Sequence, residues 1–163
     1  MSSHHTDLGR VIRHALTGKG AHVEAGDVFA GLDWKVAGAR PGSFPHSLYQ
    51  LLNHMIYWQD WVVKWIEGKT PPIPKHASGS WPGATAPTSR EQWEQAVRHF
   101  RQGLDELDRR FRDAEFRLPK RRKKSPLEML QTLGAHNSYH AGQVALLRQI
   151  LGNWPPPSGG LTW

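Results

Sequence analysis

The chain has 163 residues, of which 38% are hydrophobic and 21% charged, and this composition is typical of a folded domain and not of a disordered chain. It contains no cysteine, which excludes disulfides and thiolate metal ligands, so histidine or carboxylate would have to hold any metal. The formal charge of +7 raises the question of a polyanionic partner. Much of that charge lies in one run, Lys120 to Lys124, without neighbouring aromatic residues. The run therefore predicts a solvated loop and no specific nucleic-acid partner.

Two helices are predicted in the first half of the chain from the spacing of apolar residues. Residues 7–17 place Val11, Ile12 and Leu16 at helical intervals. Residues 47–67 are apolar on most faces, so this second helix is predicted to be central in the fold. The glycine-rich stretch between them is predicted to be irregular, with room for a short helix over residues 24–32.

Two further helices are predicted in the second half. The third begins with a capping box in which Thr88 caps the helix and Glu91 reaches back to it. The fourth begins with a second capping box, formed by Ser125 and Glu128, and ends at Gly152. No stretch alternates with a period of two, so the predicted fold class is all-α.

The connection between the second and third helices is long and must be irregular, since residues 68–87 hold five prolines and three glycines. A long connection permits neighbouring helices to run in the same direction, so we predict a four-helix bundle with a crossover between helices two and three. Without internal repeats or domain linkers, residues 1–163 are predicted to form a single domain. The chain also lacks a run of membrane-spanning length and a signal-peptide core, which predicts a cytoplasmic protein with no membrane partner.

Three of the ten histidines have a setting that suggests metal binding. His136 and His140 are four residues apart, which stacks them about 5–6 Å apart at Cβ on one helix face, together with the apolar Leu133 and Leu147. His54 lies in the most apolar helix. A single buried histidine is more commonly a hydrogen-bonded core residue, whereas three in one bundle core favour a shared divalent ion. The residues alone leave both interpretations open.

The remaining histidines are predicted to have ordinary roles. His14 and His99 stand alone on polar helix faces, and His22 and His76 lie in loops. His46 either caps the second helix or is simply exposed.

Two stretches of the sequence resemble a known family. Residues 44–54 with Trp58, and residues 136–154, resemble the second-helix and fourth-helix signatures of the DinB/YfiT-like superfamily. The resemblance implies a four-helix bundle with crossover topology that binds one divalent ion, zinc, nickel or iron, at His54, His136 and His140. Characterised members include bacillithiol transferases and the related mycothiol-dependent maleylpyruvate isomerases. Together with the eight tryptophans, the resemblance also predicts a homodimer.

The predicted function follows from an ion held by three neutral imidazoles, which keeps at least one open position. Such an ion can acidify a thiol, and since the chain has no cysteine the thiol must be a low-molecular-weight cosubstrate. We therefore predict a metal-dependent enzyme that transfers this thiol to a small electrophile. Catalytic residues are not identified from the sequence. Candidates for contacts around the metal or the substrate are Asn53, Asn137, Tyr139 and Gln143.

Two other functions stay open. A metal-dependent hydrolase would need a general base, which Glu24 or Asp27 of the first loop could supply, but no carboxylate lies beside the three histidines in sequence. A non-enzymatic, stress-related module that binds metal or ligand is the other alternative. Trp58, Trp61 and Trp65 could line its apolar pocket, although they could equally form core and dimer interface.

Overall fold

The computed structural model describes residues 2–114 and 124–160, and within these ranges it is all-helical, without a strand. The four helices are α1 (Ser2–Thr17), α2 (Leu48–Ile66), α3 (Arg90–Ala114) and α4 (Pro126–Ile150). A 3-10 helix (Ala77–Ser80) interrupts the connection between α2 and α3. The predicted fold class is thus confirmed. Of the described helices, none combines the length and the apolarity needed to cross a membrane.

Side-chain caps fix where three of the helices begin. Capping boxes open α2 and α4 as reciprocal pairs, Ser47 with Gln50 and Ser125 with Glu128. The cap predicted for α3 is wrong by one residue. Ser89 Oγ, and not Thr88, accepts from the backbone N–H of Gln92 at 3.2 Å, while Gln92 Oε1 accepts from the Thr88 N–H at 2.6 Å. The capping residue is therefore Ser89 instead of Thr88, and Gln92 instead of Glu91 reaches back, to the N–H of the residue before the cap.

Helices α2 and α3 are parallel neighbours. Asp60 on α2 contacts His99 on α3, with 2.9 Å between Oδ1 and Nε2. Further along both helices, Glu67 pairs with Arg110 at 2.9 Å. Since contacts advance in the same direction on both helices, the connection between them must return along the length of the bundle. The predicted crossover is confirmed.

The first connection, between α1 and α2, is wound inward instead of lying on the surface. Residues 25–31 form consecutive turns and not the short helix predicted for residues 24–32. The turns end at Gly31, whose φ of 71° is left-handed and interrupts helical geometry. Phe29 is fully buried and meets the rings of Trp93 and Phe100 edge-on. This connection therefore supplies part of the core.

A buried arginine fastens the same connection to α4. Arg148 is only 2% exposed, and its guanidinium donates to the carbonyl oxygens of Val28, Ala30 and Asn153 at 2.7, 2.8 and 2.9 Å. Burial lowers the pKa of Arg148 from its usual value, but the group remains a cation at neutral pH. The three carbonyl acceptors thereby offset the free-energy cost of burying this charge.

The sequence predictions for α1 and for the basic run have mixed outcomes. Helix α1 begins at Ser2, earlier than predicted; Ile12 and Leu16 are buried as expected, but Val11 is 59% exposed. The basic run from Lys120 lies outside the described residues except for Lys124, which is exposed.

Candidate metal centre

Helices α2 and α4 bring three histidines to one point in the bundle. One nitrogen of each ring, on His54, His136 and His140, lies within 4.8 Å of the other two. The Nε2 atoms of His54 and His136 are 3.1 Å apart, and the rings of His136 and His140 have centroids 4.4 Å apart. His54 and His140 are buried, at 6% and 5% exposure, and His136 is half-buried. The three residues predicted from the sequence are positioned to bind a metal ion.

The connection between α2 and α3 orients His54. Nδ1 of His54 lies 3.1 Å from the carbonyl oxygen of Ser80, which can only accept, so Nδ1 carries the proton and Nε2 presents its lone pair. The ring also stacks on Trp81, with centroids 3.9 Å apart and planes 3° from parallel. This one segment therefore fixes both the tautomer and the plane of the ring.

His46 belongs to the same arrangement, contrary to both roles predicted for it. Ser47 caps α2, and the half-buried ring of His46 stacks on Trp81 at 3.5 Å and 8°. His46, Trp81 and His54 thus form a stack of nearly parallel rings. The sequence carries no periodic signal for this contact, because Trp81 lies in a proline- and glycine-rich stretch far from α2 in the chain.

A side chain one turn further along α4 orients His140. Nδ1 of His140 lies 2.7 Å from Oε1 of Gln143, so Nδ1 donates and Nε2 faces the other two histidines. Tyr139 lies edge-on to the His140 ring at 5.1 Å but is 66% exposed. Gln143 and Tyr139, two of the four candidate contact residues, thus contact the His140 ring.

The two asparagines that were also candidates have other partners. Asn53 Nδ2 donates to the Tyr49 carbonyl on its own helix at 2.8 Å. Asn137 is buried, and its Nδ2 donates to the Leu16 carbonyl at 3.2 Å, which ties α4 to α1; its side chain also interacts with His136, where it opposes the lowering of the pKa. Both hydrogen bonds serve the fold.

Burial keeps the three imidazoles neutral. It lowers the pKa of His54 to about 4 and the pKa of His136 to about 4, and repulsion from His140 adds to both shifts. Burial likewise lowers the pKa of His140. All three rings are therefore in the unprotonated form that binds metal at neutral pH.

The candidate general bases of the first connection lie elsewhere. Glu24 pairs with Lys19 at 3.6 Å and Asp27 with Arg101 at 3.3 Å, and both acids line a cavity between α1 and α3. The histidine group itself contains no carboxylate. The expectation that this loop could fold over the site with a base is wrong, because its acids are held by cations on α3 and in the loop itself.

The donor set fits a divalent ion. His54 and His140 both direct unprotonated Nε2 atoms inward, and Nε2 of His136 faces that of His54. A proton on Nε2 of His136 would satisfy only the pair that it forms with Nε2 of His54 at 3.1 Å, whereas a single cation binds all three rings at once. Nδ1 of His136 is buried without a hydrogen-bond partner among the described residues, so this third ring lacks the Nδ1 contact that orients the other two.

An apolar cavity of about 240 Å³ adjoins the triad, with His136 in its wall. Trp58 and Trp61 on α2 face Met129 and Leu133 on α4 across this cavity. By contrast, Trp65 is a core residue at 9% exposure. The three tryptophans considered together in the sequence therefore divide between cavity wall and core.

Comparison with known proteins yields one match. A family model described as the DinB superfamily matches residues 7–144, a range that includes all three histidines of the site. Neither the curated proteins nor the solved structures contain a match to the chain.

Proposed function

The chain belongs to the DinB superfamily, and we propose that it binds one divalent ion at His54, His136 and His140 and transfers a low-molecular-weight thiol to a small electrophile. The observation that carries this proposal is the convergence of three neutral imidazoles with no carboxylate in their group. Neutral ligands leave the ion its full charge and at least one open position. Imidazole suits zinc, nickel and iron alike, so all three metals are candidates.

The bound ion would supply positive charge that lowers the pKa of an incoming thiol. The chain's own residues prepare the site: Ser80 and Gln143 hold the Nδ1 protons of His54 and His140 and so keep both Nε2 atoms directed inward. In the reaction, the sulfur electron pair forms a bond to carbon of the electrophile. The bond from that carbon to its leaving group breaks, the leaving group takes the bonding pair, and the thiol proton goes to solvent.

The polar groups around the site support thiol transfer over hydrolysis. A hydrolase must remove a proton from water, for which a general base beside the metal is usual. Glu24 and Asp27 are held in a different cavity, and no acid among the residues that the structure describes joins the three histidines. A thiol ionises far more readily than water, so it needs less help from a base.

A ligand-binding module without turnover is the second candidate, and the apolar cavity beside His136 favours it. Such a module would bind metal and a small molecule but would form no product. The two candidates therefore differ in one measurable property, which is the conjugation of an electrophile.

Thiol transfer is tested with the untagged chain loaded in turn with zinc, nickel or ferrous iron. The electrophile is 1-chloro-2,4-dinitrobenzene, offered with bacillithiol, mycothiol, glutathione or cysteine. We expect metal-dependent conjugation that a chelator abolishes and added metal restores, and that persists below the pKa of the free thiol. His140→Ala should be inactive, whereas His99→Ala, on an exposed face of α3, should be active. Metal-loaded protein that conjugates none of the four thiols would replace this proposal with the binding module.

A further inference from the structure

The cavity beside His136 has walls suited to a flat apolar group. The indole rings of Trp58 and Trp61 have centroids 6.1 Å apart and planes inclined at 57°, so they form two sides of a wedge. Met129 and Leu133 close the wedge from α4. Aromatic faces and a polarisable thioether are favourable neighbours for an aromatic ring. We refer to this space as the tryptophan cavity.

The size of the tryptophan cavity restricts its occupant. Its volume of about 240 Å³ is below the roughly 300–1,000 Å³ of pockets that enclose drug-sized ligands. A molecule of one or two rings is therefore the appropriate class.

Few polar groups line the tryptophan cavity, and each has a distinct role. Thr132 Oγ1 already donates to the Glu128 carbonyl at 2.8 Å. Lys124 is exposed and is the one charged residue among the described residues that line the space. A ligand with a negative group would therefore find its counter-charge at the rim, while its apolar body lies against the indoles.

The connection between α2 and α3 forms one side of the opening. Trp61 Nε1 donates to the Pro72 carbonyl at 3.1 Å, which fixes the backbone next to Ile73. Ile73 lines the cavity and yet is 69% exposed. An apolar ligand would cover part of this side chain and gain the corresponding hydrophobic free energy.

His136 joins the tryptophan cavity to the triad. Its ring is part of the cavity wall, and its Nε2 lies 3.1 Å from Nε2 of His54. Resting on the proposed function, we infer that the tryptophan cavity holds the aromatic body of a monoanionic electrophile, with the anionic group at Lys124 and the reactive carbon toward the histidines.

The inference is tested by calorimetric titration of the metal-free, untagged chain with three stable probes of one shape: 2-naphthoate, 2-naphthalenemethanol and 2-naphthylmethylammonium. We expect the naphthoate to bind about 2–5-fold more tightly than the alcohol, as for an exposed charge pair, and the ammonium to bind most weakly. Lys124→Met should abolish this order and leave the affinity for the alcohol unchanged. Equal affinity for all three probes in the unmodified chain would overturn the anionic assignment.

Thr132→Trp is designed to fill the tryptophan cavity from an exposed position on α4 without removing a wall, and should weaken naphthoate binding by about 10-fold or more. Gln131→Trp, at the adjacent exposed position that does not line the cavity, should bind naphthoate normally. Unchanged affinity in Thr132→Trp would overturn the inference. The titration contains no metal, so unchanged naphthoate affinity in Thr132→Trp would not bear on thiol transfer. A chain that binds naphthoate but no metal would contradict the proposed function and leave the inference about the tryptophan cavity intact.

Discussion

Arg148 and the histidines of the triad, two of which also lie on α4, are polar side chains that the fold treats in opposite ways. The Arg148 guanidinium donates to three backbone carbonyls, so its burial also ties two loops to the helix. In the triad, one nitrogen of each ring instead lies within 4.8 Å of the other two, and the Nε2 atoms of His54 and His136 are 3.1 Å apart. A polar group whose partners are built into the fold stabilises it, whereas lone pairs that converge on one another are preorganised for a ligand that the chain does not supply.

The largest expected effect is the loss of stability on replacing Arg148. Arg148→Met removes the donors of three carbonyls and should lower the free energy of unfolding by about 3–5 kcal/mol, measured by urea denaturation. At temperatures where the variant is folded, its metal affinity should match that of the unmodified chain. Arg98→Met, at an exposed arginine that pairs with Glu94, serves as the control and should change stability by less than about 0.5 kcal/mol. Equal stability of the two variants would show that Arg148 does not hold the loops.

At the triad we expect the opposite result, which is a large loss of metal affinity with little change in stability. His136→Leu removes one of three ligands and should weaken metal binding by about 100-fold or more, since loss of a residue that only orients a ligand already costs 10–100-fold. The metal-free variant should keep about the stability of the unmodified chain, because removing a buried Nδ1 that has no hydrogen-bond partner among the described residues offsets the loss of the 3.1 Å contact with His54. His99→Leu should keep full metal affinity. A metal-free His136→Leu as unstable as Arg148→Met would remove the distinction between the two regions.

The pH dependence of the metal-free chain should show the cost of burying neutral imidazoles. The pKa values of His54 and His136 are about 4 in the fold, against about 6.5 for an ordinary histidine. Between these values the unfolded chain binds more protons, so the free energy of unfolding should fall as the pH is lowered from about 6.5 toward about 4. Between pH 7 and pH 5 we expect a loss of about 2 kcal/mol for each of the two rings in urea denaturation. If the free energy of unfolding changed with pH as steeply in His136→Leu as in the unmodified chain, the pH dependence would belong to other groups.

The smallest effect should come from the residue that orients His140. Gln143→Leu removes the acceptor of the His140 Nδ1 proton at 2.7 Å, and metal titration should show about 10-fold weaker binding with the fold intact. Gln149→Leu, an exposed position later on α4, provides the comparison and should bind metal normally. Unaltered affinity in Gln143→Leu would mean that packing alone sets the plane of His140.

Local patterns explain what the sequence could predict. The i, i+4 spacing of His136 and His140 and the capping box at Ser125 are each set within about one turn of helix, so both could be predicted without tertiary structure. His54 lies on a different helix, so its place in the triad could not be predicted from spacing. It was predicted from the apolar character of α2 and from the resemblance of this segment to a family signature. The crossover followed from the length of one connection.

The remaining contacts join segments that are distant in the chain and carry no periodicity. Trp81 reaches His54 from an irregular stretch, and the acceptors of Arg148 are backbone carbonyls, which any residue could provide. The cap at Ser89 was missed because Thr88 offers an equivalent hydroxyl one residue earlier. The homodimer and the absence of a specific nucleic-acid partner stay predictions, which light scattering and salt-dependent binding would test.

The most direct test of the central claim is elemental analysis of the untagged chain, purified from metal-replete medium, beside the triple variant His54→Ala, His136→Ala, His140→Ala. The account predicts one divalent ion per chain in the unmodified protein and none in the variant, with helical content preserved, because the described core of the bundle is apolar. An unmodified chain without metal, or a triple variant that retains the same stoichiometry, would contradict it.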